Sequence, residues 1–230
     1  MKLLAIDTAL GACSVAIVDG DVVLAHRWVE MARGHAEALA PMVEDAMHEA
    51  ALSFSQLERL AVTIGPGTFT GQRVGLAFAR GLRVALKIPL IGVTTLEAMA
   101  LAAMDEAHAP QACAIHDARR GEVYFALRGH AGLKAVPAIA KFDDACAQIR
   151  EQAQSGPLAF AGTAGEAAAE NFRGNGGEAI LTNVRQPDAL WVARLGVSAP
   201  QDALVPAPLY LRPPDAKIAK PKPAKLGVPE

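Results

Sequence analysis

The chain has 230 residues and a formal net charge of −2, from 24 acidic and 22 basic side chains. This near balance argues against a protein that binds nucleic acid mainly through charge, although it does not exclude one that acts beside a nucleic acid. Hydrophobic residues make up 52% of the chain and aromatic residues only 5%, so the core must consist largely of alanine, valine, leucine and isoleucine.

The N-terminal residues predict an antiparallel meander of three strands. Apolar or alternating runs occupy 3–6, 14–18 and 22–28. Turn-forming residues at 7–12 and 19–21 separate these runs. We therefore expect the meander to form one antiparallel edge of a larger sheet.

The next segment alternates helices with strands. A helix is predicted over 35–51, because apolar residues recur there at the spacing of an amphipathic helix. A strand at 60–64, a helix at about 70–86, a strand at 89–93 and a helix from Thr95 to about 106 follow, with Thr95 as the predicted N-cap. This alternation is typical of parallel strand pairing.

The second half of the chain repeats this order. Strands are predicted at 112–117 and 122–128, a helix at 143–154, a strand at 157–161 and a further helix that begins at the glycines of 162–165. A hairpin, a helix, a strand and a glycine-led helix occur in both halves, which indicates an internal repeat.

These elements predict two lobes. The N-terminal lobe spans 1–108 and is joined by part of 195–215, and a smaller C-terminal lobe spans 109–194. Residues 216–230 are rich in lysine and proline and poor in apolar side chains, so we expect a disordered tail whose role the sequence leaves open.

Residues 65–75 form the most informative stretch, Gly-Pro-Gly-Thr-Phe-Thr-Gly-Gln-Arg-Val-Gly, between a buried strand and a helix. The free N–H groups of a first helical turn suit a phosphate or a carboxylate. The glycines also allow a strand and a helix to pack closely, and the spacing alone favours this second explanation because neither nucleotide-binding fingerprint is matched. The residues that would contact a nucleotide are Asp7, Gly65, Gly67, Thr68 and Gly71.

Several stretches resemble the signature sequences of one protein family, the TsaB family, formerly called YeaZ. They are Leu4-Ala-Ile-Asp-Thr-Ala9 with Ser14-Val-Ala-Ile17, the glycine loop at 65–75, Ile91-Gly-Val-Thr-Thr-Leu-Glu97, and Pro208-Leu-Tyr-Leu-Arg212. The resemblance covers nearly all of the chain before the tail and is most specific over 60–100. It implies an α/β fold of the actin, hexokinase and Hsp70-like superfamily, with two lobes of mixed β-sheets flanked by helices.

The resemblance also implies a function. Members of the family are non-catalytic scaffolds that dimerise with TsaD, the related subunit that transfers a threonylcarbamoyl group to adenosine 37 of ANN-decoding tRNAs. TsaE, an ATPase, completes the complex, and the scaffold reaches tRNA indirectly. We therefore expect a protein with no cofactor of its own, with ATP or ADP at the complex interface as an open alternative. A homodimer of the free protein also remains open.

The catalytic relative carries a metal motif, His-x-x-x-His, after the same glycine loop. In register with that motif this chain has Thr95-Leu-Glu-Ala-Met99, so threonine and methionine replace both imidazoles. Neither suits a borderline transition metal. We therefore expect no metal site.

The superfamily usually binds phosphate at the turn between its first two strands, with the pattern Asp-x-Gly. Here the turn reads Asp7-Thr8-Ala9, with alanine where a glycine would allow a phosphate to approach closely. Asp7 either contacts Mg²⁺ through water or caps the turn with its carboxylate, and we favour the turn.

The two N-terminal helices are the expected partner interface. The second helix has rows of small residues, and glycine inside a helix costs about 1 kcal/mol relative to alanine, which close packing would offset. In the family these helices meet their counterparts in TsaD, or in a second copy, as a four-helix bundle. The predicted contact residues are His35, Leu39, Met42, Val43, Ala46, Met47, Thr70, Arg73, Val74, Ala77, Phe78 and Gly81.

Two of these residues allow more than one role. His35 suits a polar contact at the rim or a capping role better than catalysis. Arg73 lies in the first turn of its helix, where the dipole disfavours a cation, and either solvent or an anion from a partner would relieve it.

Rival functions remain. They are a stand-alone ATP-binding protein or ATPase, the M22-type peptidase once suspected for this branch of the superfamily, and a regulatory homodimer. The acidic Asp7 comes too early for a signal peptide, no apolar run approaches the ~18 residues of a membrane span, and three scattered cysteines favour reduced thiols. We therefore expect a cytoplasmic protein with no membrane contact.

Overall fold

The computed structural model describes residues 1–130, 136–200 and 206–212. Its strands are β1 (Lys2–Asp7), β2 (Ala12–Asp19), β3 (Val22–Glu30), β4 (Arg59–Thr63), β5 (Leu90–Val93), β6 (Gln111–Asp117), β7 (Glu122–Gly129), β8 (Ala138–Lys141), β9 (Leu158–Ala161) and β10 (Ala179–Leu181). Its α-helices are α1 (His35–Glu49), α2 (Phe69–Leu86), α3 (Thr95–Ala107), α4 (Phe142–Gln152), α5 (Gly165–Gly174) and α6 (Ala189–Ser198). The predicted tail at 216–230 lies outside the described residues. Within the described residues, no helix is both long and apolar enough to cross a membrane.

The strands form two five-stranded sheets with the same topology. The first has the order β3-β2-β1-β4-β5, and the second, taken in the corresponding direction, β8-β7-β6-β9-β10. In each sheet a three-strand antiparallel meander continues into two parallel strands. The predicted internal repeat is confirmed, as are the antiparallel meander and the parallel pairing that follows it.

The first sheet is covered by helices on both faces, which explains why β1 is almost entirely apolar. Leu4 and Ile6 point to the side of α1 and α2. Leu3 and Ala5, at the alternate positions, pack with α6. A strand that is buried on both faces has no polar positions to alternate with.

Helices α3 and α6 connect the two halves. Helix α3 follows β5 of the first sheet, yet its Leu96 and Ala103 pack against alanines of β6, β7 and β9. Helix α6 follows β10 of the second sheet, yet its Val192 packs on the first sheet. The two helices also contact each other. The lobes therefore share a central helical layer.

This exchange bears on the predicted lobe boundaries. Helix α3 lies within the predicted N-terminal lobe, 1–108, but packs on the second sheet. The return of the chain to the first sheet begins at Ala189, earlier than the predicted 195. The boundaries themselves stay predictions, since the shared layer allows no clean division along the chain.

Sequence patterns missed three of these elements and misplaced one helix cap. Helix α6 and strands β8 and β10 were not predicted; the two strands are only four and three residues long. The N-cap of α3 is Thr94 and not Thr95, because the Thr94 hydroxyl accepts the Glu97 N–H at 3.2 Å. The signal for α6 was Asp188, which caps its N-terminus.

A C-terminal segment, Pro206–Arg212, links the two halves from outside. At its start, Arg80 donates to the Pro206 carbonyl. In its middle, the Leu209 N–H donates to Ile64 O at 2.7 Å. At its end, Arg212 forms an ion pair with Glu122. Arg80 and Ile64 belong to the first half, whereas Glu122 begins β7. The segment is thus a strap across the junction.

Arg59 is a buried cation with a structural role. Its side chain is 4% exposed, and its guanidinium donates to Gly196 O at 2.7 Å, Ala199 O at 2.9 Å and Val197 O at 3.4 Å. These carbonyls end α6, where a helix has unpaired acceptors and a negative dipole end. Arg59 therefore caps the helix that covers the first sheet.

We predict that Arg59→Met lowers the free energy of unfolding by about 2–4 kcal/mol, because buried carbonyls lose their donor. Urea unfolding measures the loss. The matched control is Arg173→Met, since Arg173 also donates to a backbone carbonyl, that of Ala179, but on the surface. Equal losses from the two variants would contradict the capping role.

Candidate functional site

The turn between β1 and β2 packs directly against the start of α2. The Thr8 hydroxyl donates to Gly71 O at 2.7 Å and accepts the Gly75 N–H at 2.9 Å. Both partners belong to α2, so one side chain joins the turn to the first two turns of the helix. Sequence reasoning passed over Thr8, although it lies inside the first signature stretch.

The glycines make this approach possible. A Cβ atom at Gly67 would lie 2.3 Å from Ala9 O, and one at Gly71 would lie 2.3 Å from Thr8 O. At Gly75 a Cβ would lie 2.6 Å from the Thr8 hydroxyl. The glycines therefore serve close packing, the explanation that the spacing alone favours.

The same contacts fill the space that a phosphate would need. Thr68 is the N-cap of α2, and its hydroxyl accepts the Gly71 N–H at 3.1 Å. The Thr68 N–H donates to Ala9 O at 2.9 Å. The gap between loop and turn is thus occupied by the chain's own atoms and does not fit a phosphate. The nucleotide contact predicted for Asp7, Gly65, Gly67, Thr68 and Gly71 stays a prediction.

Asp7 is fully buried at the carboxyl end of β1. Its Oδ1 accepts the Thr63 hydroxyl at 2.6 Å and the Ala9 N–H at 3.2 Å, the latter being the turn contact that we favour. Its Oδ2 has no hydrogen-bond partner. Burial raises the pKa of this carboxyl to about 7 against the lowering effect of the Thr63 hydrogen bond.

The two positions aligned with the metal motif are also buried. Thr95 is fully buried and its hydroxyl has no partner, while its N–H donates to Gly65 O at 2.8 Å. Met99 packs in the core between α3 and the second sheet. A lone hydroxyl and a thioether do not fit a metal of the imidazole-binding kind. Among the described residues no group of three or more His, Cys, Asp or Glu could hold an ion.

Four predicted contact residues of α1 need a correction. Leu39, Val43, Ala46 and Met47 are between 0% and 3% exposed and lie in the core under the first sheet. The strongest periodicity in α1 marks the face that packs on its own sheet, since burial on folding selects apolar side chains there. These four side chains have no free surface to offer a partner.

The other predicted residues lie at the surface of α1 and α2. Thr70, Arg73, Ala77 and Gly81 are exposed, and His35, Met42, Val74 and Phe78 are half-buried. The exposed side chains of the two helices are partly charged, as at Glu37, Glu44 and Arg80, and partly small or apolar. The small and apolar ones are Ala36, Ala40 and Pro41 on α1, and Ala77, Gly81, Ala85 and the 74% exposed Val84 on α2. We call this surface the α1–α2 face.

The two helices of the α1–α2 face carry opposite charge. Helix α1 contains Glu37, Glu44, Asp45 and Glu49 and, within its bounds, neither lysine nor arginine. Helix α2 contains Arg73, Arg80 and Arg83 and, within its bounds, neither aspartate nor glutamate. A partner helix pair therefore meets an acidic half and a basic half.

Arg73 finds its partner within the chain. Its guanidinium lies 3.4 Å from the centroid of the Phe69 ring and donates to the Tyr210 hydroxyl at 2.8 Å. Phe69 and Tyr210 stack at 5.9 Å. The Phe69 ring of α2 and the Tyr210 hydroxyl of the strap thus stabilise this cation at the helix N-terminus, a third alternative to solvent and to a partner anion. The signal was the tyrosine in the C-terminal signature.

His35 begins α1 and bonds to the β1–β2 turn, since its Nε2 lies 3.1 Å from Leu10 O. No side chain caps α1, because the N-cap is Gly34 in the left-handed region at φ 91°. A cavity of about 440 Å³ lies between the N-termini of α1 and α2, lined by His35, Leu10, Thr70 and Val74 among others. His35 is therefore a polar contact at the inner edge of the α1–α2 face.

Comparison with known proteins places these features in a family. The family model described as "TsaD: tRNA N6-adenosine threonylcarbamoyltransferase" matches residues 29–179. The chain is 43% identical over 126 residues to the tRNA threonylcarbamoyladenosine biosynthesis protein TsaB of Escherichia coli, covering 55% of this chain and 54% of that one. It is 38% identical over 219 residues to an uncharacterised protein of Mycobacterium tuberculosis, and the match covers 94% of this chain and 93% of that protein. The chain thus spans about half the length of the TsaB proteins of Escherichia coli and Haemophilus influenzae that it matches.

Solved structures agree with the fold. A Pseudomonas aeruginosa protein described as similar to peptidase YEAZ superposes with a TM-score of 0.74 at 28% identity, covering 92% of this chain and 99% of that one. A second structure is an activator of 2-hydroxyisocaproyl-CoA dehydratase from Clostridium difficile with bound ADPNP. It superposes with a TM-score of 0.53 at 9% identity, covering 86% of this chain and 94% of that one, which shows the fold alone. The predicted two-lobed, actin-like fold is confirmed.

We predict that Gly71→Ala destabilises the protein, since the added Cβ would lie 2.3 Å from the Thr8 carbonyl oxygen and 2.5 Å from the Thr68 hydroxyl. We expect a loss of about 2 kcal/mol or more in the free energy of unfolding. The control is Gly81→Ala on the same helix, where nothing lies within 4 Å of the new Cβ. That variant should gain about 0.5–1 kcal/mol from helix propensity. A neutral Gly71→Ala would contradict the packing role of the loop.

We predict that Asp7→Asn raises the free energy of unfolding above that of the wild type at pH 8, and that this difference is smaller at pH 4. The folded-state pKa of about 7 exceeds the ordinary 3.8, so the folded protein retains a proton that the unfolded chain releases. Stability from this group is therefore lost as pH rises from about 4 to about 7. Asparagine keeps an oxygen for Thr63 and Ala9 and removes that loss, which is roughly 4 kcal/mol at most.

Chemical unfolding across pH 4–8 checks this. Asp21→Asn, at an exposed aspartate in the β2–β3 turn, is the control and should leave the pH profile unchanged. A parallel profile for the wild type and Asp7→Asn would show that the buried carboxyl does not titrate in this range.

Proposed function

The chain belongs to the TsaB (YeaZ) family, within the group matched by the threonylcarbamoyltransferase model, and we propose that it is a non-catalytic partner subunit of TsaD. In this proposal TsaD transfers the threonylcarbamoyl group to adenosine 37 of tRNA, and TsaE supplies ATPase activity. The chain acts by binding TsaD and reaches tRNA through the complex. The names of the TsaB relatives in threonylcarbamoyladenosine biosynthesis support it.

The α1–α2 face is the observation that carries the proposal. It exposes Ala40, Ala77 and Gly81 beside the half-buried Phe78 on adjacent helices. Small side chains let the helices of a partner approach closely, and partly buried apolar side chains gain further burial on contact. Small and apolar side chains exposed on adjacent helices suit helix-on-helix packing better than contact with solvent.

The charge pattern of the α1–α2 face favours one orientation of the partner's helices. The acidic α1 and the basic α2 favour a partner whose basic helix meets α1 and whose acidic helix meets α2, because like charges at close range are costly. The same pattern is self-complementary in a two-fold arrangement. The free chain therefore forms a homodimer through the same face when TsaD is absent, in competition with TsaD.

The interior supports a scaffold over a catalyst. The positions of both metal ligands hold Thr95 and Met99, and the space between the glycine loop and the β1–β2 turn is filled by the chain itself. Neither arrangement favours an ATPase or a metallopeptidase. We place any ATP or ADP of the complex interface at the cavity between the N-termini of α1 and α2.

A scaffold that only binds can still activate its partner. If the chain binds the competent conformation of TsaD more tightly than other conformations, it shifts TsaD toward that state by the difference in binding free energy. No residue of the chain then needs to touch the reacting atoms.

We predict that Ala77→Glu lowers the affinity for TsaD by at least roughly tenfold, because the longer side chain prevents the close approach of a partner helix that alanine allows. The protein should stay folded, since Ala77 is exposed. Co-purification with TsaD and calorimetric titration measure the binding, and transfer activity of the reconstituted complex should fall in parallel.

The matched control is Ala167→Glu on the exposed side of α5, which adds the same charge away from the face. It should bind TsaD as the wild type does. Unchanged binding by Ala77→Glu, or equal losses in both variants, would remove the α1–α2 face as the interface. Transfer activity by the isolated chain would overturn the scaffold role itself.

A further inference from the structure

A groove lies at the junction of the two halves, apart from the α1–α2 face. It has a volume of about 350 Å³ and is bordered by the end of β3, by α3, by the start of α6 and by the loop before α6. Its lining includes both tryptophans of the chain, Trp28 and Trp191. This volume lies within the range of small-ligand sites, which begin near 300 Å³.

One of the two indoles is anchored by a hydrogen bond, and the other is half-buried. The Trp28 Nε1 donates to Pro187 O at 3.1 Å, while 40% of the side chain stays exposed. Trp191 lies in the first turn of α6, half-buried, with the Arg194 guanidinium 5.1 Å from its ring. Large aromatic surface held at a concave site loses little conformational entropy when a flat ring stacks on it.

Two opposite charges in the groove lack partners. Arg185 and Glu30 both line it and are exposed. Among the residues that the structure describes, neither has an ion pair or a side-chain hydrogen bond. The other acid of the groove differs, because Asp188 bonds to His26 at 2.7 Å and caps α6. The groove thus offers one free guanidinium and one free carboxylate beside two indoles.

This combination matches the chemistry of a nucleotide. An indole stacks on a base, a guanidinium pairs with a phosphate, and a carboxylate accepts hydrogen bonds from the amino group of a base. A protein partner would prefer a flatter surface with unpaired charges at its rim only. The concavity and the mixed charges favour a single planar ring with a phosphate.

We propose that the groove binds a nucleobase with its phosphate, either as a free nucleotide or as an unpaired nucleotide of an RNA chain. Trp28 and Trp191 stack on the base, Glu30 accepts from its amino group and Arg185 pairs with the phosphate. The inference stands on the groove alone and does not depend on binding of TsaD.

The tryptophan count makes the test specific. Because the chain has two tryptophans and both line the groove, the two indole N–H signals in a nitrogen–proton NMR spectrum report on this site alone. Trp28→Phe assigns the two signals. The probes are AMP, GMP, UMP, guanosine and a mixed oligoribonucleotide of about seven nucleotides, added to the isolated chain.

We expect both indole signals to shift in a saturable manner with GMP and AMP. UMP should bind most weakly, because uracil has no exocyclic amino group for Glu30. Arg185→Gln should weaken GMP binding by roughly tenfold but leave guanosine binding unchanged, since guanosine has no phosphate. The oligoribonucleotide distinguishes the two sources, because binding roughly tenfold tighter than that of GMP identifies RNA, and equal binding identifies a free nucleotide.

The matched control is Arg119→Gln, which removes the same charge from a side chain that is 87% exposed on the β6–β7 turn. If Arg119→Gln and Arg185→Gln weaken GMP binding equally, the attraction is non-specific and the proposal is overturned. Absence of a saturable shift with every probe also overturns it. Neither result bears on TsaD binding, which the Ala77→Glu experiment tests separately.

Discussion

The hydrogen bonds of Thr8 to α2 are the constraint on which the candidate site depends. Its hydroxyl reaches two successive turns of the helix, at Gly71 O and at the Gly75 N–H. No residue with a Cβ fits at either glycine, so the contact requires two unfavourable helix residues, each costing about 1 kcal/mol. Two buried hydrogen bonds and tight packing offset this cost. These two hydrogen bonds help to set the position of α2 and, with it, the α1–α2 face.

A second constraint is the exchange of helices between the halves. Helix α3 leaves the first sheet to pack on the second, and α6 makes the reverse crossing. Alanines dominate where α3 meets its sheet, which explains a core with few aromatic residues. Arg59 caps α6 and the strap at Pro206–Arg212 joins α2 to the second half. The crossing helices inside the molecule and the strap on its surface thus both hold the two halves in their relative position.

The two proposed surfaces lie on different sides of the first sheet. Helices α1 and α2 cover the face to which Leu4 and Ile6 point, whereas α6, which borders the groove, covers the face of Leu3 and Ala5. Occupation of one surface therefore leaves the other accessible. The proposed partner contact through α1 and α2 and the proposed nucleotide site are therefore compatible with each other.

The sequence by itself determined the elements with strong periodicity, the internal repeat and the family. It also identified the glycine loop and the replacement of both metal ligands, because these depend on residue type at fixed positions. It misjudged Leu39 and Val43, since periodicity marks an apolar face without saying whether a sheet or a partner covers it. Only the tertiary structure decided that Thr8 fills the loop, that Tyr210 pairs with Arg73, and that two tryptophans distant in sequence share a groove. Each of these contacts joins residues far apart in the chain, and local sequence pattern carries no information about such distances.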